Sequence, residues 1–282
     1  MRHKIFLVFF FKIIPKNFIS RAFGSIARLQ LPASVMEFVI RHYCNAYKVN
    51  QYEIDYPAAG FKSFDEFFTR KLKAGVHKID LKSDSIVSPV DARIDEFGKI
   101  NQFRIIQAKG IEYSLRELVP SAMADEFADG SFITLYLSPA DYHRIHSPVS
   151  GKVAGYFSIP GNLFPVKEAM VNGINGLFSK NERAITYIKN SKGICAVCKI
   201  GAMNVGRITL SYADVETNRL SGEKKELLFN KNGQPSVKKG QEIGIFHLGS
   251  TVILLFRKNS VKFASIKKGQ KIRMGQRIAS LK

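Results

Sequence analysis

The chain has 282 residues, 45% of them hydrophobic, which is enough to bury a core in one large domain or in one domain with an added helical segment. Its 43 Lys and Arg residues outnumber 23 acidic ones, and the net charge of +20 predicts an anionic partner, either a nucleic acid or a membrane surface. An odd set of three cysteines implies no disulfide framework and favours a reducing compartment.

The first 36 residues contain six basic residues and no acidic one. Their apolar start resembles a secretory signal, but Lys12 interrupts it, Pro15 follows, and no small-residue cleavage site is present. The run is too short to span a bilayer and fits an anchor that lies on the membrane. From Phe18 to Leu29 the apolar residues share one helical face, which either meets a membrane or packs on the protein's own core.

Two capping-box patterns predict the next helices. Ser34 with Glu37 marks one helix start, and Ser63 with Glu66 marks another. Gly75 is placed to end the second of these helices.

After residue 80 the sequence changes to short apolar or alternating runs broken by Gly, Pro and Asn, which predict strands. Between them, residues 114–118 and 121–127 predict short helices. The predicted strands are residues 103–107, 131–137, 151–159, 184–188, 193–200, 205–212 and 250–256.

Cys195 and Cys198 have the spacing of half a redox or zinc site. No second pair exists in the chain, and apolar neighbours surround both residues. We therefore interpret this segment as a buried strand.

Two short repeats indicate a duplicated β unit. Residues 88–94 are echoed by 147–153, and the turn at 238–241 returns at 267–270. We predict an α+β fold in which N-terminal amphipathic helices precede a β-rich core of two related, interleaved, sandwich-like halves.

Gly249 and Ser250 stand at the mouth of a predicted strand. Glycine permits strained backbone geometry and leaves its carbonyl open to attack by the serine, although this dipeptide alone is equally typical of an ordinary turn. His143 and His146 follow another strand, and could be acid/base groups, ordinary polar residues or, last, a metal half-site without a third ligand. Asp91 lies in a turn that it could simply cap; together with serine and histidine it completes the set that activates a hydroxyl.

Several motifs in the same order closely resemble phosphatidylserine decarboxylase proenzymes of the bacterial type, over about residues 60–256. At Ala92 that family commonly has glycine, a difference that concerns the turn and not the carboxylate. The motifs are FFTR at 67–70, SPVD at 88–91, LSP at 137–139, DYHRIH at 141–146, PGNL at 160–163, NER at 181–183, GAMNVG at 201–206 and LGST at 248–251.

The resemblance implies that the chain cuts itself. Asp91 would orient His146, which would remove the proton of Ser250 so that its oxygen attacks the carbonyl of Gly249. Elimination from the resulting ester would separate a beta chain, residues 1–249, from an alpha chain that begins at residue 250 with a pyruvoyl group.

The same resemblance implies how the pyruvoyl cofactor, made from Ser250, is used. It would form a Schiff base with the amine of phosphatidylserine and accept electrons as carbon dioxide leaves. His143, with a pKa near neutrality, would return a proton before phosphatidylethanolamine is released. No metal is expected.

The predicted partners follow from the substrate, an anionic phospholipid in a membrane surface. Residues 1–76 would associate with the membrane, residues 77–282 would form the catalytic core, and the protein would be peripheral on the cytoplasmic face of the bacterial membrane. Residues 250–282 contain nine Lys or Arg and no acidic residue, which suits such a surface. A homodimer is compatible with this interpretation.

Three alternatives stay open from the sequence. A decarboxylase could act on a related phosphoserine-headed lipid. A basic module could bind nucleic acid, but no helix-turn-helix, zinc module or aromatic RNA-binding strand is visible, so we expect no nucleic-acid partner. A non-catalytic carrier or membrane-binding module would explain the β repeats, but not Asp91, the two histidines and Ser250 together.

Overall fold

The computed structural model describes residues 2–203, 207–247 and 251–282, so residues 204–206 and 248–250 lie outside the described chain. The helices are α1 (Arg2–Ile13), α2 (Lys16–Ala27), α3 (Ala33–Tyr47), α4 (Phe64–Phe68), α5 (Leu115–Leu118), α6 (Glu168–Val171) and α7 (Leu177–Lys180). The strands are β1 (Ser85–Val87), β2 (Ala92–Lys99), β3 (Arg104–Ala108), β4 (Ile111–Ser114), β5 (Ser131–Tyr136), β6 (Arg144–His146), β7 (Gly151–Ile159), β8 (Arg183–Asn190), β9 (Gly193–Ile200), β10 (Arg207–Leu210), β11 (Lys225–Leu228), β12 (Ser236–Val237), β13 (Glu242–His247), β14 (Thr251–Phe256), β15 (Val261–Phe263), β16 (Lys271–Ile272) and β17 (Arg277–Leu281).

Helix α2 turns polar residues toward the protein and apolar residues toward solvent. Lys16, Ser20 and Ala27 are buried, whereas Phe18 and Ile26 are 64% and 63% exposed. The predicted amphipathic helix is therefore confirmed, and the alternative in which its apolar stripe packs on the core is wrong. Among the described residues, no helix is both long and apolar enough to cross a bilayer.

The predicted cap of α4 is confirmed, but its predicted end is wrong. The hydroxyl of Ser63 accepts a hydrogen bond from the amide of Glu66 at 3.2 Å. The helix ends at Phe68 and not near Gly75, and Thr69 leaves the helical conformation while its hydroxyl donates to the carbonyl of Asp65.

Helix α3 begins at Ala33, two residues earlier than a cap at Ser34 allows. Pro32 precedes the first turn, and no side chain caps the helix, so Ser34 lies inside the first turn. Proline suits this position because a helix start leaves amides without partners, and proline has none to lose. The predicted apolar face is confirmed at Met36, Ile40 and Cys44, which are buried.

The largest sheet contains nine strands in antiparallel pairs. Its order is β11-β7-β8-β9-β14-β5-β2-β16, with β12 also paired to β7. Strand β14 is central, and all six of its residues are buried. Thr251, its first residue, lies opposite Tyr136 of β5 and Ile200 of β9. The chain that follows residues 248–250 is therefore held on both sides.

The predicted α+β class is confirmed, since N-terminal helices precede a β-rich core of several sheets. The strands predicted at 151–159 and 193–200 match β7 and β9 at both ends. Strands β2 and β13 were missed, because Gly98 and Gly244 interrupt short sequences that carry acidic residues.

The echoed Ser-Pro-Val segments form equivalent turns, as predicted. The hydroxyl of Ser88 donates to the carbonyl of Val90 at 2.7 Å, and the hydroxyl of Ser147 donates to the carbonyl of Val149 at 2.6 Å. The backbones beside the two turns also bond to each other. The repeat is thus a structural one.

A glycine turn holds each Ser-Pro-Val turn, but the predicted pairing of these turns is wrong. The amide of Gly240 donates to the carbonyl of Ser147, and the amide of Gly275 donates to that of Ser88. The turn at Gly269 has a similar φ of 82° but bonds to β2. The counterpart of Gly240 is therefore Gly275, and its sequence keeps the same Gly-Gln pair, with RMGQ at 273–276 against KKGQ at 238–241.

Cys195 and Cys198 are buried in β9 on opposite faces of the sheet, because residues three apart in a strand alternate in direction. Each belongs to a different apolar cluster. The buried-strand interpretation is confirmed.

Gly275→Ala should destabilise the fold more than Gly269→Ala. Both residues have left-handed φ, 87° and 82°, so each substitution should cost about 1–2 kcal/mol in backbone strain. At Gly275 the added Cβ would also lie 2.9 Å from the carbonyl oxygen of Lys78, whereas no atom lies within 4 Å at Gly269. We expect a lower Tm for the Gly275 variant in thermal unfolding followed by circular dichroism. Equal Tm losses would mean that the chain at Lys78 moves aside freely.

Candidate active site

Strands β6 and β13 bring His143 beside the chain that leads into the predicted cleavage bond. The strands pair with His146 opposite Glu242. Farther along, the amide of Phe246 donates to the carbonyl of His143 at 2.9 Å. Along β13, His143 therefore lies nearer than His146 to the predicted bond, which itself lies outside the described residues, within 248–250.

His143 is fully buried and keeps one ring nitrogen free. Its Nδ1 donates to the carbonyl of Asp141 at 2.7 Å, so Nε2 carries the lone pair, and Nε2 meets no hydrogen-bond partner in the described part of the chain. The ring packs on Phe68 with centroids 4.1 Å apart. Burial, and then the charge of Arg70, lower its pKa to about 3, against the Asp141 contact. The expectation of a pKa near neutrality is thus wrong for the uncleaved chain, where His143 is an acceptor.

His146 has both ring nitrogens engaged. Its Nδ1 donates to the carbonyl of Gly240 at 2.7 Å, and Nε2 accepts from the hydroxyl of Tyr142 at 3.0 Å. Burial lowers its pKa, while the Gly240 contact and the charge of Glu242 oppose that shift. Across the described ranges, no group of three or more His, Cys, Asp or Glu side chains could hold a metal ion.

Asp91 contacts a histidine that the sequence analysis did not single out. Its Oδ1 accepts from Nε2 of His77 at 2.8 Å and from the amide of Met274 at 2.7 Å. Asp91, which we expected to orient His146, does not contact it directly, because its Oδ1 bonds to His77 and Met274. Instead the ring of Tyr142 lies between the two histidines, 5.2 Å from His77 and 5.6 Å from His146 between centroids.

The duplicated turns separate two roles of Asp91. In the other half of the repeat, the hydroxyl of Ser150 accepts from the amide of Lys239, as Asp91 accepts from the amide of Met274. This amide contact is a structural role that serine fills as well. The bond to His77 belongs to one half only, so it is the feature of Asp91 that chemistry could use.

A charged cluster holds the last described residue before the predicted bond. Nδ1 of His247 donates to the carboxylate of Asp65 at 2.9 Å, and Arg207 reaches the same carboxylate at 2.7 Å. Burial raises the pKa of Asp65, but the hydrogen bond and charge of His247 and the charge of Arg207 outweigh it, so the pKa is lowered. Because Asp65 belongs to α4, the helical segment is tied to the core beside the candidate site.

Lys199 is a fully buried amine on the same sheet. It lies in β9 opposite Val252, the second residue of β14, and its Nζ donates to the hydroxyl of Thr186. Burial lowers its pKa to about 7, against the charge of Cys198. The sequence analysis did not single out this lysine, because it stands in an apolar strand. The alternation of side chains along that strand would have placed it inward.

The family model for phosphatidylserine decarboxylase matches residues 64–280, which contain every predicted catalytic residue. The chain belongs to the phosphatidylserine decarboxylase family. This confirms the resemblance drawn from the motifs.

Curated relatives of the phosphatidylserine decarboxylase family match almost the whole chain. A protein of Myxococcus xanthus is 40% identical over 269 residues, covering 95% of both chains. One of Brevibacillus brevis is 38% identical over 273 residues, again with 95% of both chains covered. One of Vibrio cholerae is 39% identical over 269 residues, covering 93% of this chain and 94% of its own. Each is named a phosphatidylserine decarboxylase proenzyme.

In this phosphatidylserine decarboxylase, the predicted site residues contact side chains that the sequence analysis did not predict as their partners. His77 and Tyr142 complete the set around Asp91 and His146, and only Tyr142 stood in a motif. His77 lies in an irregular loop 14 residues before Asp91, where no periodicity or spacing marks it.

Acidification should lower the unfolding free energy of the Ser250→Ala chain, in which cleavage is expected to be blocked, because His143 is buried in its neutral form. Because its pKa falls from the usual 6.5 to about 3 on folding, the unfolded chain binds the extra proton. Its contribution to stability is present above pH 6.5 and is lost as the pH falls toward 3, at up to about 1.4 kcal/mol per pH unit. We expect the added substitution His143→Gln to flatten the dependence of unfolding free energy on pH, measured by denaturant titration between pH 7 and 4.

The matched control is His42→Gln, because that ring lies at the surface of α3. It should leave the slope as it is. An unchanged slope after His143→Gln would mean that folding does not change proton binding at His143.

Proposed function

We propose that this phosphatidylserine decarboxylase cuts its own chain between Gly249 and Ser250, converts Ser250 into a pyruvoyl group, and decarboxylates phosphatidylserine to phosphatidylethanolamine. The observation that carries the proposal is the pairing of β6 with β13, which aligns His143 and His146 along the chain that leads to this bond. The names of the relatives, all proenzymes, support self-cleavage.

Self-cleavage needs one proton acceptor at the serine. The hydroxyl oxygen of Ser250 attacks the carbonyl carbon of Gly249, its proton moves to a histidine, and the peptide C–N bond breaks as an ester forms. Loss of the α-proton of residue 250 then expels the Gly249 carboxylate and leaves dehydroalanine. Water replaces its nitrogen, ammonia leaves, and the alpha chain of residues 250–282 begins with a pyruvoyl group; residues 1–249 form the beta chain.

We assign proton removal from Ser250 to His146. Burial, with the charges of His77 and Arg144, lowers its pKa, but the carbonyl of Gly240 and the charge of Glu242 oppose that shift, whereas burial and the charge of Arg70 lower the pKa of His143 to about 3. Nε2 of His146 would exchange its contact with the Tyr142 hydroxyl for the serine hydroxyl. Asp91 would act through His77 and the ring of Tyr142, as a positioning residue.

We assign the later proton transfer, during turnover, to His143. A pyruvoyl group supplies a carbonyl that joins the substrate amine and withdraws electrons as carbon dioxide leaves. An anionic headgroup beside the buried ring of His143 would raise its pKa, because an opposite charge favours the protonated form. His143 would then hold a proton only while substrate is bound, and could return it to the former α-carbon.

Single substitutions should separate the two histidines. We expect Ser250→Ala and His146→Ala to migrate as one chain on a denaturing gel, and His143→Ala to yield two fragments but at least about 100-fold slower release of carbon dioxide, the usual range for loss of a general acid. Intact mass should show that the wild-type small fragment starts with pyruvoyl.

His42→Ala is the control, because it removes an exposed histidine outside the candidate site. It should process and turn over normally. Cleavage of His146→Ala together with an uncleaved His143→Ala would exchange the two roles. Two fragments from Ser250→Ala would contradict the cleavage bond itself.

We propose that residues 1–76 are a membrane-association segment, residues 77–282 are the catalytic core, and the protein is peripheral on the cytoplasmic face. The support is the exposed apolar surface of the first two helices. Phe9, Phe10 and Ile13 of α1 are exposed, as are Phe18 and Ile26 of α2. Apolar patches of this kind on an overall basic protein fit a lipid surface with anionic headgroups.

Replacing Phe18, Phe23 and Ile26 together by serine should weaken binding to vesicles of phosphatidylserine and phosphatidylcholine by at least about 10-fold, because each apolar side chain loses its burial in lipid. Sedimentation with vesicles measures it, and binding should fall as salt rises. Leu81→Ser is the matched control, since Leu81 is 80% exposed but lies outside the helices. Equal losses in both variants, or a wild-type protein that self-associates without binding vesicles, would contradict the membrane assignment.

A further inference from the structure

A polar cavity of about 130 Å³ lies between α2 and the end of β13. Its walls include Arg21 of α2, Arg28 directly after α2, Arg207 of β10 and His247 of β13. His247 is the last residue described before the segment 248–250. The cavity therefore adjoins the part of the chain that would carry the reacting group.

One face of α2 forms a wall of this cavity. Arg21, Gly24, Ser25 and Arg28 follow the i, i+3, i+4, i+7 spacing that brings residues to one side of a helix, and all four line the cavity. A Cβ added at Gly24 would have no atom within 4 Å, so the space between the two arginines is open. The wall thus presents two guanidinium groups on either side of a gap.

The charges of the cavity do not cancel. Arg207 is paired with Asp65 at 2.7 Å and lies 3.7 Å from Glu216. Within the residues that the structure describes, Arg21 and Arg28 have no carboxylate at salt-bridge distance. The charge of Arg28 does act on Asp65, and that of Arg21 on Glu182, but neither arginine forms a salt bridge among the described residues. Guanidinium groups bind phosphate oxygens with two parallel hydrogen bonds, so two such arginines around a small cavity suit a phosphate group.

Asn218 adds a further polar group to the wall. Its buried Oδ1 has no hydrogen-bond partner among the described residues. The two ends of an amide side chain are assigned from their surroundings, and the opposite orientation would offer an NH2 donor at the same point. The backbone amide of Asn218 donates to the carboxylate of Glu182 at 2.7 Å, which holds this loop in place.

We propose that this cavity binds the phosphodiester of the lipid headgroup, with Arg21 and Arg28 as its phosphate-binding side chains. The inference rests on the proposed function, since the serine amine of the same headgroup must reach residue 250. One oxygen and two carbon atoms separate phosphorus from the amine in phosphatidylserine, so a phosphate at α2 leaves the amine beside segment 248–250. The opposite side of α2 exposes Phe23 and Ile26, where the acyl chains would remain in the bilayer.

The direct test uses the uncleaved Ser250→Ala chain and the soluble headgroup glycerophosphoserine in isothermal titration calorimetry. The double variant Arg21→Gln, Arg28→Gln should bind at least about 10-fold more weakly, as expected for losing charged hydrogen bonds. Arg41→Gln is the matched control, because it removes the same charge from an exposed position on α3. It should bind as the parent chain does.

Three outcomes would overturn the inference. The double variant could bind glycerophosphoserine as tightly as the parent chain. Arg41→Gln could weaken binding as much as the double variant, which would indicate general attraction. Inorganic phosphate could bind as tightly as glycerophosphoserine through Arg21 and Arg28, which would make the cavity a site for free phosphate and not for a lipid headgroup.

Turnover separates this inference from the proposed function. With dihexanoyl phosphatidylserine below its micelle concentration, the self-cleaved double variant should show KM raised at least about 10-fold and kcat within about 3-fold of wild type. A wild-type KM in the double variant would contradict the phosphate site but not the proposed function. A wild-type chain that binds glycerophosphoserine through Arg21 and Arg28 but releases no carbon dioxide would sink the proposed function alone.

Discussion

The backbone pairing of β14 with β5 and β9 is the constraint on which the rest of the structure depends. It places the strand after residues 248–250 in the centre of the largest sheet, with every side chain buried. Three strands of the proposed alpha chain, β14, β16 and β17, pair with strands of the proposed beta chain. A cut before β14 would therefore leave the hydrogen bonds and apolar contacts of the sheet in place. The new chain end would stay beside His143 and His146.

The two halves of the repeat share a structural contact, and only one half adds the contact that we propose for the reaction. Both halves contain a Ser-Pro-Val turn held by a glycine turn. In both halves a side chain also accepts a hydrogen bond from a backbone amide of the glycine turn. Ser150 does so in one half and Asp91 in the other. Of these two side chains, only the carboxylate of Asp91 also accepts a hydrogen bond from His77. Residues with the same structural role thus differ in what they can do for a reaction.

Sequence alone predicted the elements whose local signals agree with their tertiary contacts. The cap at Ser63 and the strands β7 and β9 are of this kind, since cap geometry and alternation are local properties. The orientation of α2 was not predictable, because an apolar stripe has the same pattern whether it meets a core or a bilayer. The contact between Asp91 and His77 was missed because a loop without periodicity carries the histidine. Motifs marked the candidate site residues, but only packing shows that burial lowers the pKa of His143 enough to keep it neutral.

The short loop that carries His77 also runs across the two glycine turns. A side chain at either Gly240 or Gly275 would collide with Ile79, so one residue touches equivalent positions of both halves. These two glycines belong to different proposed fragments. The same loop brings His77 to Asp91 in one half of the repeat, whereas Ser150 of the other half bonds to the amide of Lys239. The two turns therefore differ where this loop crosses them, and the chemistry proposed for Asp91 belongs to one of them.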